Sequence, residues 1–128
     1  MALPKVHRLR RRQDFSQVYQ AGLRRHSAHL TLRALRRSPS ISNPASPLPN
    51  ASAATQLGIS ISQKVSKRAV IRNRIKRQIR AAFQQLLPHL AADWRIVIVV
   101  KSNAVECGYE QFLQELKQLL ISAEVIHP

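Results

Sequence analysis

The sequence predicts an α+β fold: a small mixed four-stranded sheet packed with about three helices, in the order αββαβα(β). Three observations predict it. Leu30, Leu32 and Ala34 alternate, as do Leu57, Ile59 and Ile61, which is the period of half-buried strands. Ile71, Ile75 and Ile79 recur every four residues, and Ala82, Phe83 and Leu86 continue the stripe at helical spacing. Ile96-Val97-Ile98-Val99-Val100 is an unbroken β-branched run, the pattern of a strand buried on both faces.

The elements follow in chain order. Residues 1–12 hold five basic residues and a proline and read as a basic N-terminal arm. Gln13 or Asp14 opens a short helix that Gly22 ends. Phe15, Val18 and Tyr19 share one of its faces. Residues 29–35 form the first strand. Residues 38–55 contain five Ser, four Pro, four Ala and no charge, and repeat at neither 2 nor 3.6. They read as a flexible inserted loop between two strands. The second strand is 57–62. The long helix that follows, with Ser66 as its expected cap, runs to about Leu87, before Pro88. After the strand at 96–100, Tyr109, Phe112, Leu113, Leu116, Leu119 and Leu120 mark a last amphipathic helix, and Val125-Ile126 offers a short edge strand. The 128 residues fit one domain.

Charge narrows the function. There are 21 Lys and Arg against 6 acids, a formal +15. So basic a small domain attracts polyanions, nucleic acid first and an anionic membrane surface second. No stretch of eighteen apolar residues exists, so no transmembrane helix is expected. The basic start lacks an apolar run after it, unlike a secretory signal. Cys107 is the single cysteine, which excludes a disulfide framework and suits a reducing cytoplasm.

The densest signal is 64–80, where eight of seventeen residues are Lys or Arg and none is acidic. Around the Ile stripe, Asn73, Arg74, Lys76, Arg77 and Arg80 point away from the core and Arg72 lies beside it. Arg68, Arg72, Lys76 and Arg80 make three successive like-charge i,i+4 pairs, each costing about 0.2–0.5 kcal/mol in an isolated helix. A polyanion would neutralise that repulsion, and guanidinium forks suit phosphate. The Phe15/Tyr19 pair fits two roles equally: core packing, or a stacking platform for single-stranded nucleic acid beside Arg8, Arg10, Arg11 and Arg12. His26 and His29 have no nearby carboxylate or cysteine in the sequence, so no metal site is expected. The scattered acids at 14, 93, 106, 110, 115 and 124 do not suit a two-metal nuclease. No catalytic residue is expected in the protein, and no small-molecule substrate.

With these residues in view, the chain resembles the protein subunit of bacterial ribonuclease P. The resemblance runs through Leu3-Pro4-Lys5, Arg8-Leu9, Asp14-Phe15, Gly22 and Gly58-Ile59-Ser60-Ile61-Ser62. It peaks at Arg68-Ala69-Val70-Ile71-Arg72-Asn73-Arg74-Ile75-Lys76-Arg77 with Arg80. It implies a ribosomal-protein-S5-domain-2-like fold with a left-handed β-α-β crossover. It also implies a cytoplasmic ribonucleoprotein that removes the 5′ leader of precursor tRNA, with the RNA subunit doing the chemistry through its own bound Mg²⁺. Carried over by position, Lys64, Lys67, Arg68, Arg72, Asn73, Arg74, Lys76, Arg77 and Arg80 would bind the catalytic RNA. Arg11, Phe15, Tyr19 and Arg33 would line a cleft for the single-stranded leader. Two positions depart from the family. Gln63-Lys64 replaces a pair of basic residues, and Arg33 replaces an aromatic, which shifts leader binding from stacking towards charge. The competing reading is a structural, ribosomal-type RNA-binding protein with no part in cleavage, which would need the basic block but not the aromatic helix.

Overall fold

The computed structural model describes residues 7–9, 12–36, 55–90, 94–123 and 125. Its elements are α1 (Arg12–Ala21), β1 (Leu23–His26), β2 (Leu30–Arg36), β3 (Gln56–Ser60), α2 (Ala69–Leu86), β4 (Trp94–Val100) and α3 (Tyr109–Ser122). Short 3-10 helices at Leu87–His89 and Ser102–Glu106 flank β4. The strand order is β1-β2-β4-β3. β4 is the axle, antiparallel to β2 and parallel to β3. The parallel pair is joined through α2, so β3-α2-β4 is the β-α-β unit of the fold. No helix among the described residues is long and apolar enough to cross a membrane.

The sheet has two unequal faces. Trp94, Ile96, Ile98 and Val100 of β4 join Leu30, Leu32 and Ala34 of β2 on one face. There they meet Ile75, Ile79, Ala82, Phe83 and Leu86 of α2 and Phe112, Leu116, Leu119 and Leu120 of α3. The Ile stripe therefore does what its period requires, and Ile75, Ile79 and Phe83 are wholly buried. On the other face, among the described residues, Val97 meets Val18 of α1 and Leu9, with Phe15, Leu35 and Val99 half-buried around them. Val97, between two wholly buried isoleucines, confirms that β4 is covered on both sides.

Four expectations are corrected. The fourth strand is not at the C-terminus: Val125 is buried and its N–H bonds Leu120 O at 2.9 Å, a plug beneath α3, while Ile126 lies outside the described residues. The fourth strand is β1, whose Leu-Arg-Arg-His carries no alternating pattern. Its pairing with β2 makes it a strand, in the register Leu23↔Ala34 to His26↔Thr31. Arg24 and Arg25 are exposed on this edge strand, where charge discourages further pairing. Second, α2 begins at Ala69, with Arg68 at the N-cap and no side-chain cap. Ser66 Oγ instead accepts the Arg68 N–H at 3.2 Å. Lys64 and Lys67 therefore sit on a turn before the helix, held by Val65 N–H to Ser62 O at 3.0 Å and by burial of Val65.

Third, the arm stops short of residue 12, and its end packs on the sheet. Leu9 is buried, its N–H bonds Leu57 O at 2.8 Å, and Arg8 bridges Leu57 in parallel. Arg12 already belongs to α1. Fourth, Thr55, at the end of the expected loop, is only 4% exposed and its Oγ1 accepts the Trp94 N–H at 3.3 Å. The rest of that loop, 38–54, lies outside the described residues. Gly22 ends α1 as expected, its N–H closing on Val18 O at 2.9 Å. A Cβ there would stand 2.5 Å from Val18 O, so the turn requires glycine.

Candidate RNA interface

The basic residues of α2 form a band because the Ile stripe fixes the rotation of the helix. Asn73, Arg74 and Arg77 are exposed, while Arg72, Lys76 and Arg80 are half-buried on its flanks. Lys64, Lys67 and Arg68 are exposed just before it. Val70, Asn73, Arg77 and Arg80 line a shallow groove of about 420 Å³ on the outer face. Val70 is 77% exposed there. The periodicity places Val70 off the core stripe, and that mismatch was the available signal for this apolar floor.

Two of the arginines also serve the fold. Arg72 Nη1 donates to Ser66 O at 2.8 Å and braces the turn that precedes the helix. Arg74 Nη2 donates to Val105 O at 3.2 Å and links α2 to the 3-10 helix after β4. Neither carbonyl contact neutralises charge. The ion pairs among the described residues are His29–Glu115 and Arg95–Asp14, and neither involves an α2 cation. The N-terminus of α2 also carries Arg68 at its cap and no acid in its first turn. Cations crowd the positive end of the helix dipole, an arrangement that costs energy until an anion arrives.

The aromatic pair divides. Phe15 is half-buried and its ring packs against Gly58 of β3, where a Cβ would collide with Phe15 Cζ. Tyr19, one turn on, is 37% exposed. Arg33 of β2 lies over its ring, Cζ 4.8 Å from the centroid, and donates from Nη1 to Tyr19 O at 3.1 Å. The two side chains thus form a tyrosine–guanidinium surface. Beneath it, Arg95 ties β4 to α1 through Asp14 (3.2 Å) and Gln17 (2.7 Å). Arg11 lies outside the described residues. Nothing local in the sequence announces the Asp14–Arg95 pair, because its members are 81 positions apart.

A second polar cluster lies on the opposite side of the sheet. Glu115 of α3 is only 4% exposed and accepts four hydrogen bonds. Its Oε1 takes Ser27 Oγ at 2.5 Å and the His29 N–H at 2.8 Å. Its Oε2 takes His29 Nδ1 at 2.7 Å and Gln111 Nε2 at 2.8 Å. Burial pushes this carboxyl up, but the Ser27, Gln111 and His29 donors outweigh it and hold the pKa at about 2. The sequence reading gave His29 no carboxylate. The fold supplies one from 86 positions away.

The comparisons agree with this architecture. A family described as Ribonuclease P matches residues 3–124. The chain is 53% identical over 127 residues to the ribonuclease P protein component of Microcystis aeruginosa, covering 99% of this chain and 98% of that one. It is 56% identical over 128 residues to that of a Cyanothece species, covering 98% of each. The solved structure of a Staphylococcus aureus RNase P protein mutant superposes with a TM-score of 0.78 at 24% identity, covering 95% of this chain and 92% of that chain. The Thermotoga maritima RNase P protein gives 0.70 at 20%, covering 88% and 94%, so these two show the shared fold. On the family match and on relatives more than half identical along almost their full length, this chain belongs to the ribonuclease P protein family.

Proposed function

We propose that the chain acts as a non-catalytic RNA-binding subunit, with α2 and its preceding turn docking on the ribonuclease P RNA and the Tyr19–Arg33 surface receiving the 5′ leader of precursor tRNA. The observation that carries the docking role is the α2 band itself: exposed Asn73, Arg74 and Arg77, flanked by Arg72, Lys76 and Arg80, with no acidic partner among the described residues. Lys64, Lys67 and Arg68 extend that band to the helix N-terminus. Phosphates would relieve the repulsion within it and release counterions.

The leader role rests on Tyr19. Its ring is half-open to solvent and backed by a guanidinium, so a base can stack on it while Arg33 meets the adjacent phosphate. Phe15 serves as the wall that holds α1 at its distance from β3, and Arg11 would extend the cleft towards the N-terminus. In this reading the RNA subunit carries the chemistry and binds the Mg²⁺ that hydrolysis needs, and the holoenzyme works in the cytoplasm. The protein's carboxylates support that division. Asp14 and Glu115 are both committed to internal bonds.

Reconstitution tests the proposal. The protein added to a bacterial ribonuclease P RNA at low Mg²⁺ should restore accurate cleavage of a leader-bearing precursor tRNA. Binding of the RNA without any gain in cleavage would favour the structural RNA-binding reading.

A further inference from the structure

We propose that His29, Cys107 and Glu115 form a three-ligand site for a zinc-class divalent cation, fastening α3 to the β1–β2 turn and leaving one coordination position open. One imidazole nitrogen, the Cys107 sulfur and one carboxylate oxygen all lie within 4.8 Å of one another. They come from three separate pieces of chain. His29 is in the turn that precedes β2, Cys107 follows the 3-10 helix at Ser102–Glu106, and Glu115 is in the second turn of α3. Cys107 is the chain's single cysteine, and its N–H bond to Ala104 O at 3.0 Å places it here.

The donor set selects the ion. Nitrogen, sulfur and oxygen together suit zinc and its neighbours, whereas Mg²⁺ requires a near-octahedral oxygen shell. The abundant Mg²⁺ of a ribonucleoprotein would therefore not compete. Tetrahedral bonds of about 2.0–2.3 Å put ligand atoms about 3.2–3.8 Å apart, so closing on an ion asks for movements of about an ångström. His29 and Cys107 are both partly exposed and have that freedom, and the ion has a route in. Glu115 is buried, with Ser27 and Gln111 holding it in place. Those two donors can remain as outer hydrogen bonds while the ion takes over the role of the His29 proton on Oε2. Binding converts the Cys107 thiol to a metal-bound thiolate and releases its proton to solvent.

Charge is favourable locally although the chain as a whole is strongly basic. The carboxylates of Glu115 and Glu106 both lie close to Cys107. Those carboxylates make this the corner of the molecule where a cation is welcome. The opposing cation is Lys101, whose Nζ is held on Ser27 O at 2.6 Å.

The test is a cobalt(II) titration of the metal-free, reduced full-length protein, followed by displacement with Zn²⁺. One equivalent should produce a thiolate-to-cobalt charge-transfer band and strong tetrahedral d–d bands, both lost on adding Zn²⁺. C107S should lose the charge-transfer band while keeping the circular dichroism and melting temperature of the metal-free protein. H29Q, which retains the thiol, should bind about tenfold more weakly or worse. E115Q should do the same; if it fails to fold, C107S and H29Q decide the matter. Absence of a charge-transfer band at one equivalent would overturn the site. So would an H29Q variant that titrates like the wild type, since binding would then run through the other histidines.

Discussion

Among the described residues, twenty-one buried side chains form the core between the sheet and α2/α3, against three between the sheet and α1. Both faces are built on the same strands, and β4 contributes Ile96 and Ile98 to one and Val97 to the other. The difference shows how a small domain divides its labour. Stability is concentrated on one face, where interlocked apolar side chains hold α2 at a fixed rotation and so aim its cations. The thin face keeps α1 in place with Val18, Leu9 and the Phe15–Gly58 contact, and leaves Tyr19 in the open. A thicker core there would have buried the ring that the proposed leader cleft needs.

The widest contrast should come from truncation on the two faces. Phe83→Ala or Phe112→Ala should cost about 3–5 kcal/mol of folding stability, because both rings are wholly buried. Tyr19→Ala should cost less than about 0.5 kcal/mol, as surface changes do. Urea unfolding of the three variants measures both. Similar losses for Tyr19 and Phe83 would erase the distinction between the faces.

Glu115 sharpens the picture of the heavy face. Its folded pKa lies below that of an ordinary carboxylate. Its contribution to stability is therefore complete above pH of about 4.5 and is lost as pH falls towards about 2. In the metal-free protein, Glu115→Gln should lower stability at neutral pH by about 1–3 kcal/mol, the worth of charge-assisted hydrogen bonds. It should also flatten the acid limb of the stability profile. An unchanged acid limb would mean that the four donors do not hold the carboxylate.

On the thin face, Tyr19→Ala should weaken holoenzyme binding of leader-bearing precursor tRNA by about 1–3 kcal/mol, with mature tRNA unaffected. Equal losses for both RNAs would place the ring outside any leader cleft. Arg33→Ala should reproduce part of that loss, since it removes the cation over the ring.

The smallest effect is expected on α2. Arg77→Ala should reduce the slope of log K against log salt by about one phosphate contact, or about 0.7–0.9, with no change in stability. Arg74→Ala should do the same and also loosen the link to Val105. A salt-independent affinity in the wild-type protein would remove the electrostatic basis of docking.

Periodicity alone was enough to locate α2, α3, β2, β3 and β4, because each buries a side-chain pattern whose period is local and regular. The same stripe turned Arg74 and Arg77 outward, while Lys76 and Arg80, expected outward as well, are half-buried on the flanks beside Arg72. The family, too, was legible in the run from Arg68 to Arg80. Tertiary structure decided the rest, for identifiable reasons. β1 is a strand only because β2 offers it hydrogen bonds, and its Leu-Arg-Arg-His has no apolar alternation of its own to announce it. Ser66 lost the cap of α2 because burial of Val65 sets the turn ahead of the helix. Phe15 and Tyr19, one helical turn apart, were equivalent in sequence and are not in space. Gly58 lies under one ring and Arg33 over the other, and both partners arrive from distant strands. Glu115 met His29 and Cys107 for the same reason: the three are brought together by helix packing, which no spacing along the chain encodes.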